Sequence, residues 1–541
     1  MELTSRHISD KAFGLLAGFS AIVLVLVLGV ILVPMILEGT GAVIFRGTVE
    51  FRAMQLNEFG HGDASKVQAE IAEVRPLRER LYDIIDTFKR GVDIDALQER
   101  AGQIHRQFGA ELRYKDTPRE RYTSLRSISR RIRDKLRAAF AGTDKEQMAQ
   151  QIDSVLQYRG DARFEGTIAT GYFELAAEFQ ESLQHIDLRR RRRYKEGLDE
   201  VEQIIRELFG PRPDGPPPAL AMYRYGATRW DQAQKSLQRL LWTEKWVQLE
   251  QSRPLQKTLI ERKKEFMGTQ LEPLFGFVEE NLAQMLRPKW TFYWRYFVDD
   301  STPGHYFGGV GPEILGTIVL TVLSMVFVIP LGVISSAFLV EFASDNFVIR
   351  IIRMCINTLA GVPSIVFGLF GLAFFILFLI PAFGGPSKPC ILAGAMTLAV
   401  LTLPVMIRAS EEAIRTVPRA YKEGSLALGA SRFWTFVAVT LPAALPGILT
   451  GVILSLSRVA GETAPILFTA GIAVGPSPKS VFDTTRTLSY GSWDMAVGDR
   501  LSAMVPHNQY GMVVTLVFLV LCLNGLAIVL RSRVFRKLKG Q

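Results

Sequence analysis

The chain of 541 residues is 48% hydrophobic and 21% charged, with a formal net charge of +10. That length exceeds the roughly 250–300 residues one hydrophobic core supports, so a single soluble domain is excluded. The 34 phenylalanines and long apolar runs exclude a disordered chain, and the basic balance comes without any zinc-finger or RNA-binding signature, so no nucleic-acid partner is expected.

Six stretches carry enough apolar residues to cross a bilayer, which takes about 20. They are approximately 12–37, 312–340, 356–382, 390–407, 441–473 and 510–530. The first holds no charge and is longer than the roughly 7–15 residues of a secretory core, so it reads as a retained span. Arg6 and Lys11 precede it, and Arg531, Arg533, Arg536, Lys537 and Lys539 follow the last span. The positive-inside rule then puts both termini of a multi-pass membrane protein in the cytoplasm. By parity the segment 38–308 lies in the periplasm, and the loop 408–440 is cytoplasmic. The fold class expected is all-α and polytopic, with a mainly helical extracytoplasmic domain carrying minor β structure. Its parts are 1–37 (cytoplasmic N-terminus and first helix), 38–308 (insert), 309–530 (membrane core) and 531–541 (basic tail).

Within the insert, helical periodicity covers about 64–107, 118–156, 173–208 and 228–286, with Pro254 expected to break the last. Residues 39–52 and 158–172 read as strand-like, and PRPDGPPP at 211–218 as a stiff turn. Arg189–Arg193 is a run of arginines that fits either an anion-attracting patch or a solvated helix face. Trp290, Phe292, Tyr293, Trp294, Tyr296 and Phe297, interleaved with Arg287, Lys289 and Arg295, suggest an interfacial belt helix leading back into lipid.

Hydrolytic and redox motifs are missing from the sequence. It has no G-x-x-x-x-G-K-[ST], H-E-x-x-H, G-x-S-x-G or C-x-x-C, and GGPSK at 384–388 lacks the spacing of a phosphate loop. Cys355, Cys390 and Cys522 all lie outside the insert, which therefore has no disulfide framework. No metal site is expected of the scattered histidines, His305 and His507 included. The chain is expected to be no enzyme and to draw its energy from another protein or an ion gradient.

Two places carry sharper signals. The loop EEAIRTVPRAYKEGSLALGASRFWTFVAVTLPAALPGI reads as a short helix opened by Pro418, a glycine turn, a second short helix and a Pro-limited return to the membrane, or else as an ordinary connection. Arg458 and Glu462 are four apart in an apolar run, where ionised groups need a partner or a polar path. They form either a structural ion pair or an anion path in which the Arg458 fork suits phosphate oxygens and Glu462 restrains it. Ser457 and Thr463 are hydroxyl donors nearby, and the facing of Thr469 is left open. Gly361, Pro363 and Ser364 in the third span permit a bend or close helix approach, continued by Gly368 and Gly371, and favour packing or gating over substrate contact.

The loop resembles the coupling motif E-A-A-x(3)-G-x(9)-I-x-L-P of the permease subunits of bacterial ABC importers. The matched positions are Glu423, Gly424, Ser425, Gly429, Val439, Leu441 and Pro442, with small-for-small and branched-for-branched departures at Gly424, Ser425 and Val439. AGVPSIVFGLFG at 360–371 and LSRVAGETAPILFTAG at 456–471 are similar to permeases of phosphate importers, the latter more to the PstA-type subunit than to its PstC-type partner. The resemblance covers about 12–37 and 290–541 and leaves the insert unexplained. It implies a permease for inorganic phosphate that binds no cofactor itself. Its implied partners are a PstC-like permease chain, a PstB-like ATPase dimer using ATP and magnesium, an external phosphate-binding protein, membrane lipid and phosphate-sensing regulatory proteins. The alternatives are a membrane sensor or scaffold of a phosphate-signalling complex, or a permease for sulfate, molybdate or tungstate.

Overall fold

The computed structural model of the chain describes residues 2–184, 186–212, 227–247, 256–344, 346–498 and 506–538. Two compact units emerge, Arg46–Trp290 and a second made of Met1–Phe45 with Thr291–Gln541. The first is narrower at both ends than the expected 38–308 segment, and at its start the first helix continues through Thr40.

Arg46–Trp290 is a helical unit whose breaks are set by caps. The expected 64–107 helix is two, Ala64–Val92 and Ile94–Tyr114. Asp93 divides them, its carboxylate accepting from the Ala96 amide and so satisfying an orphan donor of the second helix. The expected 118–156 helix likewise divides into Arg119–Ala141 and Lys145–Leu156, where Asp144 accepts from Glu146 N at 3.0 Å. The third becomes Gly171–Gln184 and Arg191–Phe209. The fourth is corrected most. A helix Trp230–Leu241 gives way to an antiparallel hairpin, Trp242–Val247 against Gln256–Glu261, before the helix Glu272–Leu286. The aromatic and β-branched residues of WTEKWV and QKTLIE prefer a pleated surface to a helix. Pro254, and the PRPDGPPP turn beyond Arg212, lie outside the described residues.

Neither strand-like segment is wholly extended. Ile44–Gly47 is a strand, but Val49–Phe59 is helical, and 158–172 is turns with one 3-10 turn at Ile168–Thr170. Two clusters form the core, one around Phe88, Tyr194, Phe266 and Phe275 and one around Phe108, Phe140, Tyr172 and Phe179. A buried ion pair, Arg78 Nη1 to Glu50 Oε1 at 2.6 Å, also donates to the Met285 carbonyl at 2.9 Å.

Of the described side chains in the arginine run one is buried and three are exposed, as on a solvated helix face. Arg191 is buried over the Phe179 ring and donates to the Phe140 carbonyl. Arg190, Arg192 and Arg193 pair with Asp187, Glu196 and Glu265.

His105 gives this unit a pH dependence. It is buried, with Nδ1 2.8 Å from Ser129 Oγ, and Ser129 Oγ also lies 3.1 Å from the Tyr172 hydroxyl. Burial first, then Arg126, Arg133 and Arg130, pushes its imidazole down to about 4. The unfolded chain binds that proton at higher pH, so this stabilisation is complete above about pH 6.5 and is lost as pH falls toward 4. Hydrogen-exchange protection across 94–141, corrected for intrinsic rates, is expected to fall through this window in the full chain. The fall is expected to be shallower in His105→Gln, and an identical profile in the two chains counts against the assignment.

Among the described residues the second unit holds six helices long and apolar enough to cross a membrane, Phe13–Thr40, Gly311–Phe342, Ser364–Ala382, Ile391–Arg415, Arg432–Gly461 and Pro506–Arg536. The third starts at Ser364 rather than 356, because Gly361 and Pro363 end a separate helix, Phe347–Leu359. The fourth runs eight residues past the expected 407, with Arg415 paired to Glu411 at 2.7 Å on the same helix and Arg408 bonded to Asn357. The sixth absorbs Arg531, Arg533 and Arg536 into the helix Pro506–Leu538, so the described part of the basic tail is helical. The expected belt helix is instead a strand, Lys289–Phe292, and a 3-10 turn, Trp294–Phe297. Trp290, Phe292 and Trp294 are exposed, while Tyr293 and Tyr296 are buried.

Candidate translocation site and coupling surface

The fifth span ends where the sequence changes from SLSRVAG to ETAP. Glu462 is extended (φ −74°, ψ 135°), Thr463 follows, and a short helix Ala464–Thr469 begins with Pro465 in its first turn. The span is broken at this point, and Glu462 lies just beyond the helix rather than on its face. Even so, Arg458 Nε reaches Glu462 Oε1 at 3.5 Å, with both side chains partly exposed. Arg458 occupies the last turn, where the helix dipole favours a cation. The break is held by Ser489, whose hydroxyl donates to the Glu462 carbonyl at 3.0 Å.

Ser457 sits beside Arg458 with its hydroxyl 3.0 Å from the Ile453 carbonyl and 2.9 Å from Asn524 Oδ1 on the sixth span. Asn524 escaped the sequence reading. A lone amide in an apolar run was its only signal. Thr463 makes no capping hydrogen bond. Thr469 is removed from the site, fully buried with its hydroxyl donating to the Pro465 carbonyl at 2.7 Å.

Gly361, Pro363 and Ser364 form a turn between helices, and a Cβ on Gly361 would meet only the Thr358 carbonyl, at 3.5 Å. Close approach occurs further on. A Cβ at Gly368 would lie 3.0 Å from Phe468 and Pro465, and one at Gly371 only 2.1 Å from Thr397 Oγ1. The packing reading therefore moves from Gly361 to Gly368 and Gly371, which hold the third span against the short helix after the break.

The coupling motif lies at the other end of the fifth span. Pro418 opens a helix Arg419–Ala427, and Gly429 turns the chain at φ +88°. No residue of that helix is buried. Glu423, Gly424 and Gly429 are exposed, as are Tyr421, Leu428, Phe433 and Trp434. Ser425 Oγ contacts Thr435 Oγ1 at 3.0 Å, and Lys422 Nζ contacts Glu341 Oε1 at 2.5 Å at the end of the second span. Pro442 does not interrupt the return to the membrane. Val439, Leu441 and Pro442 lie on continuous helix, where a π turn at Phe436–Thr440 lets the Leu441 amide reach the Phe436 carbonyl. The widened turn accommodates the missing proline donor.

A buried charge cluster in the same unit was not anticipated. Arg486, 4% exposed, pairs with Asp300 at 2.6 Å and with the fully buried Glu313 at 3.5 Å. It also donates to Ser301 Oγ at 3.2 Å. His305 Nδ1 lies 3.8 Å from the same Glu313 oxygen, and burial together with Arg486 pushes this histidine down to about 4. Among the described residues no group of three or more metal-ligating side chains occurs.

Residues 328–540 match the family described as "Binding-protein-dependent transport system inner membrane component". The probable ABC transporter permease protein YqgI of Bacillus subtilis is 37% identical over 246 residues, 43% of this chain and 80% of that protein. A probable phosphate transport system permease protein PstA of Methanocaldococcus jannaschii is 34% identical over 37% of this chain and 72% of its own length. The phosphate transport system permease protein PstA 1 of Mycobacterium tuberculosis is 37% identical over 33% of this chain, which spans 57% of it.

Proposed function

Given that this chain belongs to the family of binding-protein-dependent transport system inner membrane components, we propose that it is the PstA-like permease subunit of an ATP-driven inorganic phosphate importer. The observation that carries the reading is the Arg458–Glu462 pair at the break of the fifth span. A guanidinium held by one carboxylate at 3.5 Å can exchange that arm for a phosphate oxygen. The carboxylate then neutralises the site after release. Ser457 and Thr463 flank it as hydroxyl ligands. PstA-type permeases among the relatives supply the choice of phosphate.

The other parts follow from this role. Both termini lie in the cytoplasm and Arg46–Trp290 in the periplasm. A PstC-like chain completes the path, and an external phosphate-binding protein delivers the anion. A PstB-like ATPase dimer carries ATP and magnesium, and this chain binds neither. The exposed helix Arg419–Ala427, tied to the second span by Lys422 and Glu341, passes ATPase closure to the spans. Gly368 and Gly371 keep the third span close enough to follow.

The test is reconstitution of the chain with these partners in proteoliposomes. ATP-dependent uptake of labelled phosphate is expected, with little competition from excess sulfate, molybdate or tungstate. Equal competition reassigns the chain to oxyanions generally. Phosphate binding without uptake supports the sensor reading instead.

A further inference from the structure

The helix Phe347–Leu359 fits neither the path nor the coupling loop. At about 1.5 Å per residue its 13 residues extend about 20 Å, short of the roughly 30 Å hydrocarbon core. It joins the second span to the third, on the side where the fourth span leads to the coupling helix. Asn346 caps its start, accepting from Ile349 N at 3.0 Å.

One face is fastened to the protein. Ile349 is buried with Leu339 and Ile407, and Ile356 packs against them. Arg353 donates to the Leu339 carbonyl at 2.9 Å and lies 3.7 Å from Glu411, while Asn357 accepts from Arg408 Nε at 2.9 Å. The opposite face is apolar and uncovered. Phe347, Val348, Ile351, Ile352, Met354 and Leu359 are all exposed, and they occupy roughly 160° of the circumference at about 100° per residue. Cys355 stands near the middle of that arc and is also exposed. The spans it connects also carry exposed apolar residues near the junctions, Phe338 and Phe342 on the second and Ile365 and Val366 on the third. Arg350, exposed at the edge of the arc, forms no ion pair among the described residues.

We propose that Phe347–Leu359 is an in-plane amphipathic helix seated in the bilayer surface on the coupling-helix side, with its apolar arc at the headgroup–acyl boundary and Arg350 on anionic lipid phosphate. A bilayer is the occupant because the helix directly connects two helices long and apolar enough to cross one, both with exposed apolar residues beside it. A cation at its edge also matches anionic headgroups better than a dry protein interface. The helix bridges the second span, which contacts the coupling helix through Glu341, to Gly368 and Gly371 of the third. Lipid thereby steadies the element linking the coupling surface to the break. This rests on the transport reading.

The test places a nitroxide on native Cys355 in a Cys522→Ser chain, leaving Cys390 buried, assembled with its partner subunits in vesicles containing phosphatidylglycerol. Power saturation is expected to show greater access for oxygen than for a water-soluble nickel complex. The depth is expected to fall between that of a label at Cys522 in the sixth span and one at Tyr114→Cys in the insert. Arg350→Glu is expected to move the Cys355 label toward water. Nickel access equal to the insert control overturns the proposal, as does low access to both reagents, which reports a covering protein chain, or an unmoved label in Arg350→Glu. Phosphate uptake by the same vesicles reports on the transport reading separately.

Discussion

Replacing Arg458 with Leu is expected to abolish phosphate uptake while the chain still assembles with its partners. The two arms of the guanidinium fork make charge-assisted hydrogen bonds, each about 1.5–3 kcal/mol. Loss of both is about 3–6 kcal/mol, a reduction of at least about a hundredfold. Assembly is expected to survive because Arg458 is partly exposed and, among the described residues, is paired through a single contact with Glu462. Arg458→Lys keeps the charge without the fork and is expected to fall between the two. Glu462→Gln separates an anion path from a structural pair. Removing the restraint is expected to tighten phosphate binding and slow its release, lowering KM and turnover together, whereas loss of a merely structural pair lowers the amount of folded complex. Proteoliposome uptake rates alongside the yield of assembled complex check all three variants, and normal uptake by Arg458→Leu would falsify the path.

What the sequence revealed depended on how local each signal was. Spans were legible because twenty consecutive apolar residues have few soluble alternatives. Their ends were not, because Arg408, Glu411 and Arg415 look like loop residues until they are seen continuing the helix, Arg408 bonded to Asn357 and the other two to each other. The i,i+4 spacing of Arg458 and Glu462 announced their pairing, although it could not announce the helix end between them. In the insert, charges at helical spacing across 228–286 concealed the hairpin, where WTEKWV also alternates. Gly361 drew most notice through its neighbouring proline, and Gly368 and Gly371 were read only as its continuation, although it is they that leave no room for a Cβ, against distant Phe468 and Thr397. Tertiary neighbours decide such positions, and no spacing encodes them.

The Arg486 cluster is the extreme case, with its carboxylates 186 and 173 positions earlier at Asp300 and Glu313. Glu313 in the first turn of an apolar span was the available clue, since a carboxylate there demands a partner. Arg486→Ala is expected to be the most destabilising single change in the membrane unit. It leaves Glu313 fully buried with one oxygen already accepting no hydrogen bond among the described residues. Breaking such a pair costs about 3–5 kcal/mol, which lowers the unfolding midpoint on the order of 10 °C. The buried Cys390 thiol supplies the reporter when Cys355 and Cys522 are replaced by Ser, because a thiol-reactive dye then reads only unfolding. Neutralising both partners, as in Arg486→Met with Glu313→Gln, is expected to recover most of the loss, since the penalty comes from the stranded charge rather than from the absent bond. A double variant as unstable as Arg486→Ala would instead assign the effect to the lost hydrogen bonds of the guanidinium with Ser301 and Asp300.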